Sequence, residues 1–363
     1  MHKFHFECKA PSRADIAGGT LDLWPLYNFL DGPSTTLNLA LSFNARVILD
    51  VQPLGKETVL HLAFQSERCT LEYPYSLREL EAVPKIFQLP ASLFRCLLQL
   101  PSAQELRGAA YSLSWSSQVP MGSGLGGSSA LSVALLKCVG HAGGLFTSPG
   151  WEWELLRLAQ DAEAMLLRMP TGTQDYLAAL FGGLNAFTSQ AGSLARGEFA
   201  WSLAEELGRH LLLVFSGQSH ESGLSNWDIY RRAVEKDADV LRGLERLRKI
   251  ADDVKQVLKR DPLNFAALGD QMRAEWAVRR DLFRVNTPTL EALVQAAERQ
   301  PILGYKVCGA AQGGTMAVLV DPGKKEAVAR GFEGENWHVL EGCVAQQEGV
   351  VVCERNVIME KKP

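Results

Sequence analysis

The stretch Pro120-Met-Gly-Ser-Gly-Leu-Gly-Gly-Ser-Ser-Ala130 constrains this chain more than any other. Gly122, Gly124, Gly126 and Gly127 carry no side chain, so successive backbone N–H groups can converge on one anion. Directly after it, Ala130–Val139 is apolar nearly all round, the pattern of a helix buried on every side. Before it, Ala110–Trp115 alternates, with Tyr111, Leu113 and Trp115 on one face and Ser112 and Ser114 on the other. That period of two predicts a half-buried strand, which Pro120 stops. The expected order is therefore strand, glycine loop, buried helix. A helix N-terminus aimed at such a loop suits phosphate, and Ser128 and Ser129 add hydroxyls for phosphate or Mg²⁺. A triphosphate is the natural guest. No Lys follows the glycines, so this is not the usual P-loop, and no acidic residue sits suitably about 20 residues on for a dinucleotide fingerprint. A flexible turn before a helix is the plain alternative, and the loop alone does not decide between the two.

The 363 residues suffice for two domains, at roughly 150 residues each. A hydrophobic share of 47% lets such a chain bury large cores without a disulfide or metal staple. Its net charge of −4 supplies no field for nucleic acid or an anionic membrane, so a phosphorylated ligand needs a local positive site. The seven cysteines, at 8, 69, 96, 138, 308, 343 and 353, form no CxxC pair. They read as free thiols in a reducing cytosol. The opening MHKFHFECKAPSR lacks the apolar core of a signal peptide, and no run approaches the roughly 18 apolar residues of a membrane span. A cytoplasmic protein is expected. The histidines are scattered without HxxxH spacing for a structural metal. Oligomeric state is not legible.

Leu37–Leu49 reads as one long strand or a strand pair. Trp151–Met169 is a helix that Pro170 and Gly172 break, and Tyr176–Phe181 is a short helical segment closed by Gly182-Gly183. Leu211–Phe215 reads as a strand, Asn226–Arg299 as mainly helical with breaks near Asp261-Pro262 and Pro288, and Tyr305–Cys308 with Thr315–Val320 as strands around a tight loop. The boundary between halves is expected near Gly192–Glu198, giving segments 1–192 and 193–363. Asp175 follows the Pro170-Thr-Gly172 turn, where a side chain can project into a cleft as a proton acceptor or cap the next helix.

Three segments, in this order, resemble the superfamily of galactokinase, homoserine kinase, mevalonate kinase and phosphomevalonate kinase. They are Pro11-Ser-Arg13-Ala-Asp15-Ile-Ala-Gly18-Gly19-Thr-Leu-Asp22, the loop Pro120–Ala130, and Gly309-Ala-Ala-Gln-Gly313-Gly314. Within that superfamily, Arg13 to Pro25 is similar to the opening of L-fucose kinases and of heptose 7-phosphate kinases, which usually carry three glycines where this chain has Gly18-Gly19-Thr20. Leu37-Asn38 is shared by both, and Thr171-Gly-Thr-Gln-Asp175 is close to the heptose-kinase segment. Both groups phosphorylate an anomeric hydroxyl.

The resemblance implies an α+β fold in two domains, with the nucleotide loop between a strand and a buried helix in the first. Helices on an antiparallel sheet form the second, and the active site lies in the cleft between them. It implies ATP as phosphoryl donor, Mg²⁺, and a small sugar or sugar phosphate as acceptor. Pro120, Gly122, Gly124, Leu125, Gly126, Gly127, Ser128, Ser129 and Ala130 would form the nucleotide loop, although Gly127 stands where the wider superfamily often has Ser. Asp175 would be the catalytic base, with Arg13 beside it to keep it ionised and offset phosphoryl charge. Glu163 would bind Mg²⁺ with Ser128, and Asp161 is an alternative ligand. Asp15, Gly18, Gly19, Asp22, Asn38 and Gly313 would line the substrate site, with Asp15 alternatively capping a turn. Ser216-Gly-Gln-Ser219, and less so His220, could border the same cleft. Trp151, Trp153 and Trp227 suit a core or rim better than an adenine stack. Two rivals share the fold: an isoprenoid-alcohol kinase, whose GEH-like first motif is absent here, and a non-catalytic sensor, which has no need of Asp175, Glu163 and Arg13.

Overall fold

Ser34–Pro53 (β2) is one continuous strand rather than a pair, enclosed on both faces over Ser34–Leu41 and alternating in burial over Ala45–Asp50, and it is the spine of the first sheet. The computed structural model describes residues 3–357 apart from 56, 74, 219–222, 284–286, 310–313 and 342–343. Lys3–Ala17 (β1) runs antiparallel along one edge of β2. Along the other edge, Ala45–Pro53 pairs with Ala109–Ser117 (β5) while Ser34–Leu39 pairs with Leu184–Gln190 (β6). Val59–Phe64 (β3) joins β5 in parallel and pairs with Glu67–Glu72 (β4). In β5 the alternation holds: Tyr111, Leu113 and Trp115 are buried and Ser112 is exposed.

Five helices cover one face of this sheet: Leu77–Ala82 (α1), Lys85–Gln99 (α2), Gly127–Ala142 (α3), Trp151–Leu167 (α4) and Gln174–Phe181 (α5). As its composition requires, α3 lies in the middle with Ala130, Val133, Leu136 and Val139 all fully enclosed. The second sheet is antiparallel, in the order His338–Val339 (β11), Leu211–Phe215 (β8), Thr315–Leu319 (β10) and Gly304–Val307 (β9). Its strands are short and apolar because helices flank them: Trp201–His210 (α6), Ala238–Leu258 (α8), Phe265–Phe283 (α9), Pro288–Glu298 (α10) and Lys325–Gly334 (α11), while Gly223–Val234 (α7) packs on α8 and α9. No helix among the described residues is long and apolar enough to cross a membrane. The described cysteines are all free, and Cys8, Cys96, Cys138 and Cys308 are buried.

The division at residue 192 needs correction. It falls inside a hairpin, because Ser193–Glu198 (β7) pairs with β6 in the first sheet. Val351–Val357 (β12) also returns to the first sheet, antiparallel to β1. Hydrophobic periodicity marks strands but not their partners, so neither excursion was readable from composition. The two lobes also share a core in which Ile16 and Leu39 meet Leu213, Val254 and Leu319.

Gly269 of α9 lies against the backbone entering β9, where an added Cβ would come 2.1 Å from the carbonyl oxygen of Leu303. Backbone cannot swing aside as a side chain can. Gly269→Ala should cost about 1–3 kcal/mol, read as a lower urea midpoint at unchanged slope.

Candidate active site

Gly126 adopts a left-handed backbone (φ 74°) as the N-cap of α3, and the first helical hydrogen bond runs from Ala130 N–H to the Gly126 carbonyl. The amides of Gly127, Ser128 and Ser129 therefore precede the ladder and face out of the helix end. Ser128 is exposed, whereas Leu125, Ser129 and Ala130 are buried. Leu125 and Ala130 thus shape the loop without offering it ligand atoms: Leu125 through its carbonyl, Ala130 through a helical amide. Pro120 likewise closes a turn, its carbonyl accepting from Ser123 N–H at 3.1 Å.

Arg13 is 2% exposed and joins this loop to the turn before α5. Its backbone N–H donates to Leu125 O at 2.9 Å and its Nη1 to Gly124 O at 2.6 Å. Its Nε and Nη2 reach Asp175 Oδ1 at 2.7 and 2.6 Å. Burial pulls the guanidinium pKa down, but Asp175 and Asp15 together outweigh it and the pKa rises. Asp175 is not a helix cap: Thr173 holds that position and Asp175 sits in the first turn. An added Cβ on Gly126 would lie 3.3 Å from Asp175 Cβ, so the carboxylate stands against the glycine loop.

Glu163, half-buried on α4, contacts the Tyr176 hydroxyl and accepts a hydrogen bond from Ser128. Burial, then the charge of Asp175, pushes its carboxyl up to about 7 against the Ser128 hydroxyl. Ser128 and Glu163, paired in expectation, are thus in contact.

The residues expected at sugar hydroxyls behave differently. Asp22 Oδ2 accepts the N–H groups of Thr173 at 2.6 Å and Gln174 at 2.9 Å, clamping the turn that carries Asp175. Burial raises its pKa to about 6, despite those amides. Asn38, fully buried, donates to Gln174 O at 3.0 Å. It positions the same turn through that bond. Asp15 is also fully buried, its Oδ1 3.0 Å from Lys306 Nζ, which lies 2.6 Å from Glu275 Oε1. Glu275 Oε2 accepts Gly18 N–H at 3.0 Å, and Arg279 donates to Gly19 O at 2.6 Å and contacts Gly309 O. Asp15, Gly18 and Gly19 thus belong to an internal ion cluster. Burial works against the Asp15 carboxylate, but Lys306, Arg279 and Arg13 hold its pKa down.

Sequence reasoning missed Glu275, Arg279 and Lys306. A lysine inside the apolar strand Gly304–Val307, and an acid and a base four apart on α9, were the available signals. Gly309 packs against the glycine loop, where an added Cβ would meet Gly124 Cα at 2.8 Å. Gly313, Ser219 and His220 lie outside the described residues. Ser216 is buried and Gln218 O accepts Gly314 N–H at 3.1 Å.

Comparison with known proteins agrees with this architecture. The profile "GHMP kinases N terminal domain" matches residues 92–183 and "GHMP kinases C terminal" matches 254–338. The chain belongs to the GHMP kinases, a family of phosphotransferases. Among curated relatives it is 28% identical to the D-glycero-alpha-D-manno-heptose 7-phosphate kinase of Campylobacter jejuni, over 63% of this chain and 67% of that protein. It is 29% identical to the galactokinase of Mycobacterium bovis, over 62% and 69% respectively. Its fold is similar to the crystal structure of a D-glycero-D-manno-heptose 1-phosphate kinase from Bacteriodes thetaiotaomicron, at TM-score 0.70 and 19% identity, covering 96% of this chain and 98% of that one.

Two outcomes test the electrostatics. Lys306→Met leaves Asp15 and Glu275 buried without their shared cation and should cost about 3–5 kcal/mol in urea unfolding. The second concerns pH. A carboxyl whose folded pKa is raised stabilises the fold in its protonated form. For Glu163 that stability is complete below 4.5 and lost as pH rises through about 7. The ligand-free protein should therefore lose Tm between pH 5 and 8. Glu163→Gln should flatten the upper part of that fall, leaving the part near pH 6 that belongs to Asp22.

Proposed function

We propose that the chain is an ATP-dependent kinase that phosphorylates the anomeric hydroxyl of a sugar or sugar phosphate. The observation that carries this reading is the placement of Asp175: Arg13 holds it against Gly126, at the mouth of the α3 N-terminus. A nucleotide whose phosphates rest on the amides of Gly127, Ser128 and Ser129 would present its terminal phosphorus there. Asp175 then accepts the proton of the acceptor hydroxyl, the freed oxygen attacks the γ-phosphorus, and the bond to the β–γ bridging oxygen breaks to release ADP. Arg13 offsets charge on the phosphoryl group as it moves.

The Ser128–Glu163 pair suits Mg²⁺. It supplies one hydroxyl and one carboxylate, and burial, with the charge of Asp175 added, makes that carboxylate hard to ionise without a cation. An ion held by only two protein groups leaves its remaining positions to phosphate oxygens and water. Bound there, Mg²⁺ would neutralise charge between the β- and γ-phosphates. The heptose kinase and galactokinase among the relatives support a sugar acceptor. Net charge and buried free thiols favour a cytoplasmic enzyme with no nucleic-acid or membrane partner.

A coupled ADP-release assay across neutral sugars, sugar phosphates and mevalonate tests the reading. Turnover on mevalonate alone rejects it. In Asp175→Asn, the acceptor oxygen for Arg13 survives but the charge and proton acceptor are lost. Turnover should fall by roughly 10²–10⁴ with ATP affinity by calorimetry nearly unchanged. Arg13 is buried, so the variant should also melt lower, and rates are to be compared well below its Tm.

A further inference from the structure

Beside the turn that carries Asp175 lies a cavity of about 580 Å³, a size that suits a monosaccharide with a substituent. Asp22 and Thr173 form the wall it shares with that turn. Trp24, Tyr27 and Trp153 supply aromatic surface. Trp24 is 57% exposed, so core packing does not account for it. Aromatic faces of this kind pack against the C–H faces of sugar rings. Among the lining residues, Arg157 is the single cation. It is exposed and makes no ion pair among the described residues. Asp22, the acidic residue in the same lining, does not counter it: Asp22 is 3% exposed and its Oδ2 is committed to the Thr173 and Gln174 amides.

Position along α4 sets the scale. Arg157 precedes Glu163 by six residues on one helix, an offset of about 9 Å along its axis. Glu163 stands at the phosphoryl-transfer end, in contact with Ser128 of the nucleotide loop. Gln160, between them, donates to Thr171 O at 2.7 Å and ties the helix to the catalytic turn. A sugar ring with its exocyclic carbons fits that spacing, with the reacting hydroxyl at one end and an anion at the other.

We propose that this cavity holds the distal part of the acceptor and that Arg157 binds a phosphate already on it. The acceptor class is then a sugar monophosphate substituted on an exocyclic carbon, not a neutral sugar. Guanidinium suits this role because its fork matches phosphate oxygens two at a time. The inference rests on the kinase reading above and narrows it.

The test separates the two claims. Tryptophan fluorescence, with Trp24 and Trp153 in the cavity, reads binding of neutral hexoses, hexose 6-phosphates and heptose 7-phosphates to Asp175→Asn protein in the absence of ATP, so that nothing is turned over. At least one sugar phosphate should bind about 10- to 100-fold tighter than its neutral parent, and adding Arg157→Ala should abolish that preference. In the otherwise wild-type enzyme, Arg157→Ala should raise the KM for the sugar phosphate by a similar factor. Its kcat and its KM for ATP should stay nearly constant, and Arg157→Lys should restore part of the loss. Equal binding of phosphorylated and neutral sugars, no binding of either at millimolar concentration, or a preference that survives Arg157→Ala overturns the proposal. Undiminished turnover by Asp175→Asn removes the base instead, and the fluorescence ratio still decides the role of Arg157.

Discussion

The arrangement of the site depends on one buried guanidinium. Arg13 leaves strand β1, takes the carbonyl of Gly124 and the carboxylate of Asp175, and gives its own amide to Leu125. Three segments far apart in the chain are thereby fixed to one side chain. Burying that cation is costly, and the cost is offset only while the carboxylate and the carbonyl are both in place. The loop and the turn that carries Asp175 are thus held to a common geometry before any ligand arrives, the preorganisation that the proposed transfer between two bound groups would require.

Behind Arg13, a second set of charges joins the lobes. Asp15, Glu275, Lys306 and Arg279 are two acids and two bases, each at most 1% exposed. They bind strand β9 and helix α9 of the second lobe to the Gly18-Gly19 turn of the first. The shared apolar core lies alongside. Two lobes joined by both are not free to hinge as independent bodies.

What could be read from the sequence divides along a physical line. The glycine loop, the buried helix α3, the strand β8 and the Arg13–Asp175 and Ser128–Glu163 pairs were legible, because local composition or a motif specifies them. The roles of Asp15, Gly18, Gly19 and Asn38 were not. A motif marks a position as belonging to the site without saying whether its side chain faces the ligand or braces the residues that do. Asp15 and Asn38 turn inward because partners outside the motif, Lys306 and the Gln174 carbonyl, meet them there. Those partners lie 291 and 136 residues away, and no local pattern connects them.

The return of Val351–Val357 to pair with β1 orders the assembly of the protein in time. On the ribosome, β1 emerges long before β12, and the strand that covers its outer edge follows only after the residues of both lobes. Throughout synthesis that edge presents unpaired N–H and C=O groups, a template for any other nascent strand nearby. The first lobe is thus encoded early but finished late. Until then its sheet is open to wrong partners, and the chain has to be kept apart from its copies during translation rather than after it.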